Sequence, residues 1–367
     1  EKLVIRWLVE MSGFHPDGSG LLTSGGSMAN FSGLAAARSA AFPGVREQGV
    51  RSGPQLTVYT TSQAHYSVIK AVEMLGLGRR CIREVPVDQD LRMDPGALER
   101  TLKADHRAGL KPMAVVATLG TTSTGTCDDL DALADVCRQQ AVWLHVDGAY
   151  GGLARQVPGK ESLAAGLSRA NSLVIDPHKN LFMPFEAGCL LVRDPADLRR
   201  AFAVRTDYLP NTSAEEDEEP DAPRHFRDYG PQLSRGFRAL KIYLTLKTYG
   251  ANAVIEELAR EYRLASRLGE MIRQPGDFQL LAPVSLGVVP FRCLHPAAEG
   301  EDDLNSLNSW LVEEVQRRGR VFLSRVKVEG KVGFRACFVS HRTRERHLVP
   351  VLEEIRSAAR AWDEAGE

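Results

Sequence analysis

A chain of 367 residues has room for one large domain and a smaller one, and its 43% apolar and 25% charged residues are ordinary for a soluble globular protein. A net charge of −1 leaves no electrostatic footprint for nucleic acid or an anionic membrane, and no apolar run approaches the ~18 residues needed to span a bilayer. The opening residues, Glu1-Lys2-Leu3-Val4-Ile5-Arg6, form no signal peptide, and six cysteines without a C-x-x-C pair read as reduced thiols in a cytoplasmic protein. A start at Glu rather than Met suggests a processed or truncated product.

In chain order, apolar positions at helical spacing predict a helix over 3–12, stopped by Gly13 and followed by a loop at 15–20. Leu21-Leu22 reads as a poor strand. The small residues of 27–42 predict a helix that packs closely on a sheet. Strands are expected at 56–60, 113–119, 142–146, 173–175 and 189–192, with helices at 67–75 and 130–139 between them. This alternation argues for an α/β fold: a mostly parallel central sheet flanked by helices. Such sheets bind ligands beyond the carboxyl ends of their strands, where Thr60, Gly120, Asp147 and Asp176 fall. Residues 206–234 break the pattern, and the acidic run at 214–223 cannot bury a core; it reads as a solvated linker or as a mobile lid. Helices over 237–249, stopped by Gly250, and over 251–272 lead to strands at 288–293, 320–328 and 333–339, a small C-terminal α+β domain.

The most informative segment is Asp176-Pro177-His178-Lys179, which ends a buried strand. Another strand delivers Asp147, followed by Gly148-Ala149-Tyr150. A buried carboxylate and a lysine at two strand tips form a pairing that pyridoxal 5'-phosphate (PLP) chemistry requires. The lysine holds the aldehyde as a Schiff base, and the carboxylate keeps the pyridine nitrogen protonated so that the ring accepts electrons. Thr23-Ser24-Gly25-Gly26-Ser27-Met28-Ala29-Asn30 opens a helix whose free N–H groups suit a phosphate, or carries no more than an N-cap serine. The same segment is one residue from a G-x-S-x-G nucleophile elbow, with Ala29 in place of the last glycine. His65 is either structural or a ring positioned to stack on the pyridine. His145 and Asp147 make an H-x-D pair without a third metal ligand at sensible spacing, so no metal site is expected. Thr122 lies in a Gly-bounded turn, which is either a plain turn or a contact to the cofactor's phenolic oxygen.

The ordered series T-S-G-G-S-M-A-N, S-Q-A-H-Y-S, A-T-L-G-T-T-S-T-G, W-L-H-V-D-G-A-Y and D-P-H-K resembles the group II PLP-dependent amino-acid decarboxylases, which include aromatic L-amino-acid decarboxylase. The resemblance extends to S-H-R-T at 340–343, nearly the whole chain. It implies the fold-type-I PLP architecture, with residues 1–20 as the remnant of an N-terminal segment, 21–250 as the large PLP-binding domain and 251–367 as the small domain. It implies a homodimer with active sites at the subunit interface. By motif position, Lys179 is the Schiff-base lysine, Asp147 the pyridinium partner and His65 the stacking residue and proton shuttle. Gly26 and Ser27 contact the phosphate, Thr122 and Ala149 line the ring, and Asp176 and His178 complete the cofactor contacts. The implied reaction is decarboxylation of an L-amino acid, aromatic in the leading reading, to an amine and CO₂.

Four departures accompany the resemblance. Asp176 stands where the animal aromatic decarboxylase has Asn, so a carboxylate beside the phosphate needs a proton, a water or a cation. Asn180 stands where relatives often have Trp. Phe226 falls where decarboxylases carry a proton-donating lid tyrosine, unless His225, Tyr229 or Tyr208 substitutes; relatives with Phe there divert the reaction to an aldehyde. Most of the relatives' N-terminal helical segment is absent. An aldehyde synthase and a non-catalytic interaction subunit are the alternatives these departures raise.

Overall fold

The computed structural model describes residues 1–204, 225–274 and 276–365; Tyr208 and the acidic run at 214–223 lie outside the described residues. The chain forms two compact units. The first comprises Glu1–Val87, Met93–Leu119 and Asp128–Ala251, and the second Asp88–Arg92, Gly120–Cys127 and Asn252–Glu367.

The first unit is built on seven strands: β1 (Ser19–Thr23), β2 (Leu56–Thr60), β3 (Ile82–Glu84), β4 (Lys111–Thr118), β5 (Trp143–Asp147), β6 (Ser172–Ile175) and β7 (Gly188–Val192). Their order across the sheet is β1-β7-β6-β5-β4-β2-β3. The pairs from β3 to β6 are parallel, whereas β7 runs antiparallel to both β6 and β1. Strands β1, β2, β5, β6 and β7 are buried along their whole length, which explains their continuous apolar runs.

Leu21-Leu22, expected to be a poor strand, is part of β1. Its flanking Ser19 and Gly20 have low strand propensity, but pairing with Val192–Gly188 of β7 and full burial decide the outcome. The strand expected at 320–328 starts only at Ser324, whose pairing with Arg335 opens its ladder with the partner strand.

The helix Gly26–Ala41 packs on the sheet through Ala29, Leu34, Ala35, Ala36 and Ala37, which are buried against Leu190, Val192, Val116 and Trp143. Its small residues permit the approach. A Cβ on Gly33 would stand 2.5 Å from Cε1 of His145, so the site tolerates glycine alone. Asp94 and Asp129 cap the helices Pro95–Arg107 and Leu130–Gln139 by accepting first-turn N–H bonds. At the chain start, the Glu1 carboxylate accepts from the Leu22 N–H at 2.7 Å and from Arg235 Nη1 at 2.9 Å and Nη2 at 2.6 Å.

The second unit holds a four-stranded antiparallel sheet of β8 (Phe278–Leu280), β9 (Val288–Cys293), β10 (Ser324–Val328) and β11 (Lys331–Cys337), in the order β10-β11-β9-β8. The helices Ala251–Arg273, Glu301–Arg318 and Leu348–Ala365 bury Leu264, Leu268, Leu311 and Ile355 with Phe291 and Phe334, whose rings stack 5.5 Å apart.

Candidate active site

Parallel strands that end together place their last residues along one edge of the sheet. Asp147 closes β5 in register with Thr118 of β4 and Val174 of β6, and Asp176 follows β6 directly. Pro177 then starts the short helix Pro177–Asn180, whose single turn brings Lys179 back over Asp176. Lys179 Nζ lies 2.9 Å from Asp176 Oδ2 and its side chain is 40% exposed, whereas the Asp176 side chain is 3% exposed. His178 Nδ1 accepts the Ala187 N–H at 3.1 Å, which leaves the ring proton on Nε2, 3.5 Å from Asp176 Oδ2. Burial pushes the Asp176 pKa up, against the opposing pull of Lys179 and His178. Burial likewise lowers the His178 pKa.

Asp147 is buried and accepts from Asn30 Nδ2 at 2.8 Å through Oδ2 and from the Ala149 N–H at 3.2 Å through Oδ1. The Ala149 carbonyl accepts the Asp176 N–H at 3.2 Å. The Gly25-Gly26 turn sits on the same spot: a Cβ on Gly26 would lie 2.9 Å from Asp176 Oδ2 and 3.3 Å from the Ala149 Cβ. Exposed Ser27 follows in the first helical turn, where N–H groups have no partner within the helix. His65 caps the helix Tyr66–Met74, its Nδ1 accepting the Ser67 N–H at 3.3 Å and lying 2.7 Å from Ser67 Oγ. Burial lowers its pKa, while Asp147 raises it and Lys179 lowers it, so the three groups share one electrostatic neighbourhood.

The structure thus brings together Gly26, Ser27, His65, Asp147, Ala149, Asp176, His178 and Lys179 within the first unit. Thr122 belongs to the second unit. Its turn is pinned by hydroxyl contacts from Thr124 to Thr121 and Thr126, at 2.7 and 2.8 Å, and its carbonyl accepts from Arg335 Nη1 at 2.8 Å. His145, weighed as half of a metal pair, spends both ring nitrogens on Ser172 Oγ and Asn30 Oδ1. Asn180 donates through Nδ2 to the Tyr150 carbonyl. Phe226 packs against the sheet's hydrophobic cluster, 6.0 Å from the Tyr229 ring and 5.4 Å from the Arg235 guanidinium.

Four residues of this neighbourhood carried no assigned role in the sequence: Asn30, Ser67, Ser172 and Trp143. One signal was available. Asn30 lies at helical spacing with Ala29, Gly33 and Ala37 on a small-residue face, and a buried amide there must find partners.

The residues present fit PLP. A lysine amine stands beside a carboxyl group held in a protonation-favouring site. The buried Oδ1 of Asp176 has no hydrogen-bond partner among the described residues, and a protonated carboxyl there would donate to an anion. Gly26 leaves open the space that a Cβ would fill. Asp147 keeps lone pairs for a pyridinium N–H beyond the two bonds it accepts.

This α/β sheet with its lysine and two carboxyl groups at the strand tips is the architecture of the fold-type-I PLP enzymes. Residues 1–294 match the family model described as the pyridoxal-dependent decarboxylase conserved domain, and the chain belongs to that family. It is 34% identical over 359 residues to an aromatic-L-amino-acid decarboxylase of Bacillus atrophaeus, covering 98% of this chain and 72% of the relative. A phenylacetaldehyde synthase of a Rosa hybrid cultivar is 29% identical over 376 residues, covering 98% and 72%. Among solved structures, that of Oryza sativa TDC with PLP and tryptamine superposes with a TM-score of 0.91 at 30% identity, covering 99% of this chain and 76% of that one. The protein is a PLP-dependent carboxy-lyase acting on an amino acid. Among the described residues, no helix is long and apolar enough to cross a membrane.

Proposed function

We propose that this enzyme decarboxylates an aromatic L-amino acid to the corresponding amine and CO₂, with PLP held at Lys179. The observation that carries the reading is the placing of Lys179 and buried Asp147 at the tips of adjacent parallel strands, both acting on His65. When bound, PLP supplies an electron-accepting ring that stabilises the charge left on Cα as CO₂ departs. Asp147, itself held by Asn30 and the Ala149 N–H, would accept from the pyridine nitrogen. His65 would stack on the ring, with its Nε2 as a site that holds or moves a proton. The Gly26–Ser27 turn, His178 and Asp176 would hold the phosphate side, and Ala149 would line the ring. The contact assigned to Thr122 rests on motif order.

The aromatic substrate is supported by the similarity to the Bacillus aromatic-L-amino-acid decarboxylase and to Oryza TDC with PLP and tryptamine. Free cysteines support a cytoplasmic location, and the family resemblance supports a homodimer. Purified protein should be yellow, and borohydride should lock a PLP-derived mass onto Lys179 that the Lys179→Ala variant lacks. The unreduced enzyme should release CO₂ from at least one of tyrosine, tryptophan, phenylalanine or dihydroxyphenylalanine. A colourless protein that takes up no PLP-derived mass would remove the reading.

One observation favours a second product. Phe226 stands in the described turn, and an aldehyde synthase is among the relatives. Aldehyde and hydrogen peroxide in place of amine would establish that outcome, and Phe226→Tyr should then shift output toward amine. Amine and CO₂ alone would exclude it.

A further inference from the structure

Behind Asp147 lies a continuous chain of buried polar groups. The Trp143 indole Nε1 donates to Ser172 Oγ at 2.8 Å. Ser172 Oγ is 2.7 Å from His145 Nδ1, and His145 Nε2 is 2.8 Å from Asn30 Oδ1. Asn30 Nδ2 donates to both Asp147 Oδ2 at 2.8 Å and Ser67 Oγ at 2.9 Å. Ser67 Oγ, finally, is 2.7 Å from His65 Nδ1. His145, Ser172, Asn30 and Ser67 are all essentially inaccessible to solvent.

The directions of these bonds follow from groups that act only one way. The Asp147 carboxylate only accepts, so Asn30 Nδ2 faces it and Asn30 Oδ1 faces His145. His145 Nε2 therefore carries the ring proton, and Nδ1 accepts from Ser172 Oγ, which itself accepts from the Trp143 indole, a group that only donates. Both Asn30 hydrogens are thereby used, so Ser67 Oγ accepts one and donates to His65 Nδ1. At the far end, the Ser67 backbone N–H also requires Nδ1 of His65 to accept. Two one-way groups at separate points, the Asp147 carboxylate and the Ser67 backbone N–H, demand the same polarity, and the Trp143 indole is compatible with it. Burial, opposed by Asp147, pushes the His145 pKa down to about 4, which keeps that ring neutral at working pH.

We infer that Asn30 and His145 are positioning residues: a one-way hydrogen-bond chain running from Trp143 to His65 holds the Asp147 carboxylate in place and fixes the His65 proton on Nε2. Nε2 of His65 is therefore a donor. Gly33 belongs to this device, since any side chain there would displace the His145 ring. The functional meaning rests on the roles given above to Asp147 and His65; the polarity of the chain does not.

Ring nitrogens of ¹⁵N-histidine-labelled protein, read by NMR in apo and PLP-loaded forms, test the polarity. Both His65 and His145 should carry the proton on Nε2, and His145 should not titrate between about pH 5.5 and 9. A proton on Nδ1 of either ring would overturn the inference. The positioning role is tested by PLP affinity of the apo-protein. His145→Gln retains an N–H donor toward Asn30 and should bind PLP within about threefold of the wild type. His145→Leu should bind about tenfold more weakly, the usual scale for loss of an outer-shell partner. Equal affinity of the two variants would sink the positioning role. Should His145→Leu not fold, the wild-type ring spectra still decide the polarity. A wild type that binds no PLP would defeat the decarboxylase reading, while the apo spectra would report on the chain regardless.

Discussion

Asp176 presents a chemical conflict at the level of one side chain: a carboxyl group next to the place proposed for a phosphate. Burial resolves it by favouring the protonated form, in which Oδ1 becomes a donor. The sign follows. As pH rises through the elevated pKa, the proton leaves and a second negative charge faces the anion, so affinity for PLP should fall. Asp176→Asn supplies a donor that does not titrate. Its PLP affinity should therefore decline less with pH than that of the wild type, the difference bounded at about tenfold per pH unit for one linked proton. Parallel affinity-versus-pH curves for the two proteins would show that Asp176 does not carry this role. At the same scale, Gly33→Ala forces a methyl against His145, an overpacking that should cost about 1–3 kcal/mol in a denaturant titration. An unchanged midpoint would show that the helix shifts freely.

At the scale of elements, a helix of the second unit carries an unusual load. Glu261 is completely buried in Ala251–Arg273, and neither carboxyl oxygen has a hydrogen-bond partner among the described residues. Burial, helped by Glu257 and opposed by Arg260, raises its pKa to about 8. The folded protein therefore keeps a proton that the unfolded chain releases above its ordinary pKa near 4.5. Stability from this residue is full below that value and is lost as pH climbs toward 8. Glu261→Gln should flatten the decline and exceed the wild type by up to about 4 kcal/mol at pH 8. Matching pH–stability profiles would refute it. How elements emerged from the sequence divides along similar physical lines. Strands buried on both faces, such as β5 and β6, announce themselves as apolar runs, and their tips announce Asp147 and Asp176. Strand β3, Ile-Arg-Glu on a sheet edge, has no such signature because Ile82 and Arg83 are half-buried and Glu84 is exposed. Strand β1 hides for the opposite reason: Ser19 and Gly20 are buried there by pairing, not by propensity. The cluster around Lys179 was legible because its residues are chemically distinctive. The network around Asn30 was not, since amide and hydroxyl partners meet only after residues far apart in the chain pack together.

For the molecule as a whole, an apolar face remains on the first unit. On the helix Arg238–Tyr249, Leu240, Tyr243 and Leu244 are exposed, with Phe237 just before it and Phe185 nearby in the fold. This face is tied to the residues after Lys179. Lys241 Nζ donates to the carbonyls of Pro184, Phe185 and Glu186 at 3.3, 3.3 and 3.1 Å, and Arg238 pairs with Glu186. The proposed second copy would cover such a surface. Light scattering should report a dimer, and Leu244→Glu should shift it toward monomer while weakening PLP binding. A wild-type monomer with full turnover would dispose of the dimer.

Among the described residues, β1 joins the sheet through β7 alone. Gly26 lies against Asp176 and Ala149, and Gly25 against Gly188, the first residue of β7. During translation the turn at 25–26 therefore leaves the ribosome long before the residues that seat it. Vitamin B6 capture is expected only after β7 has emerged.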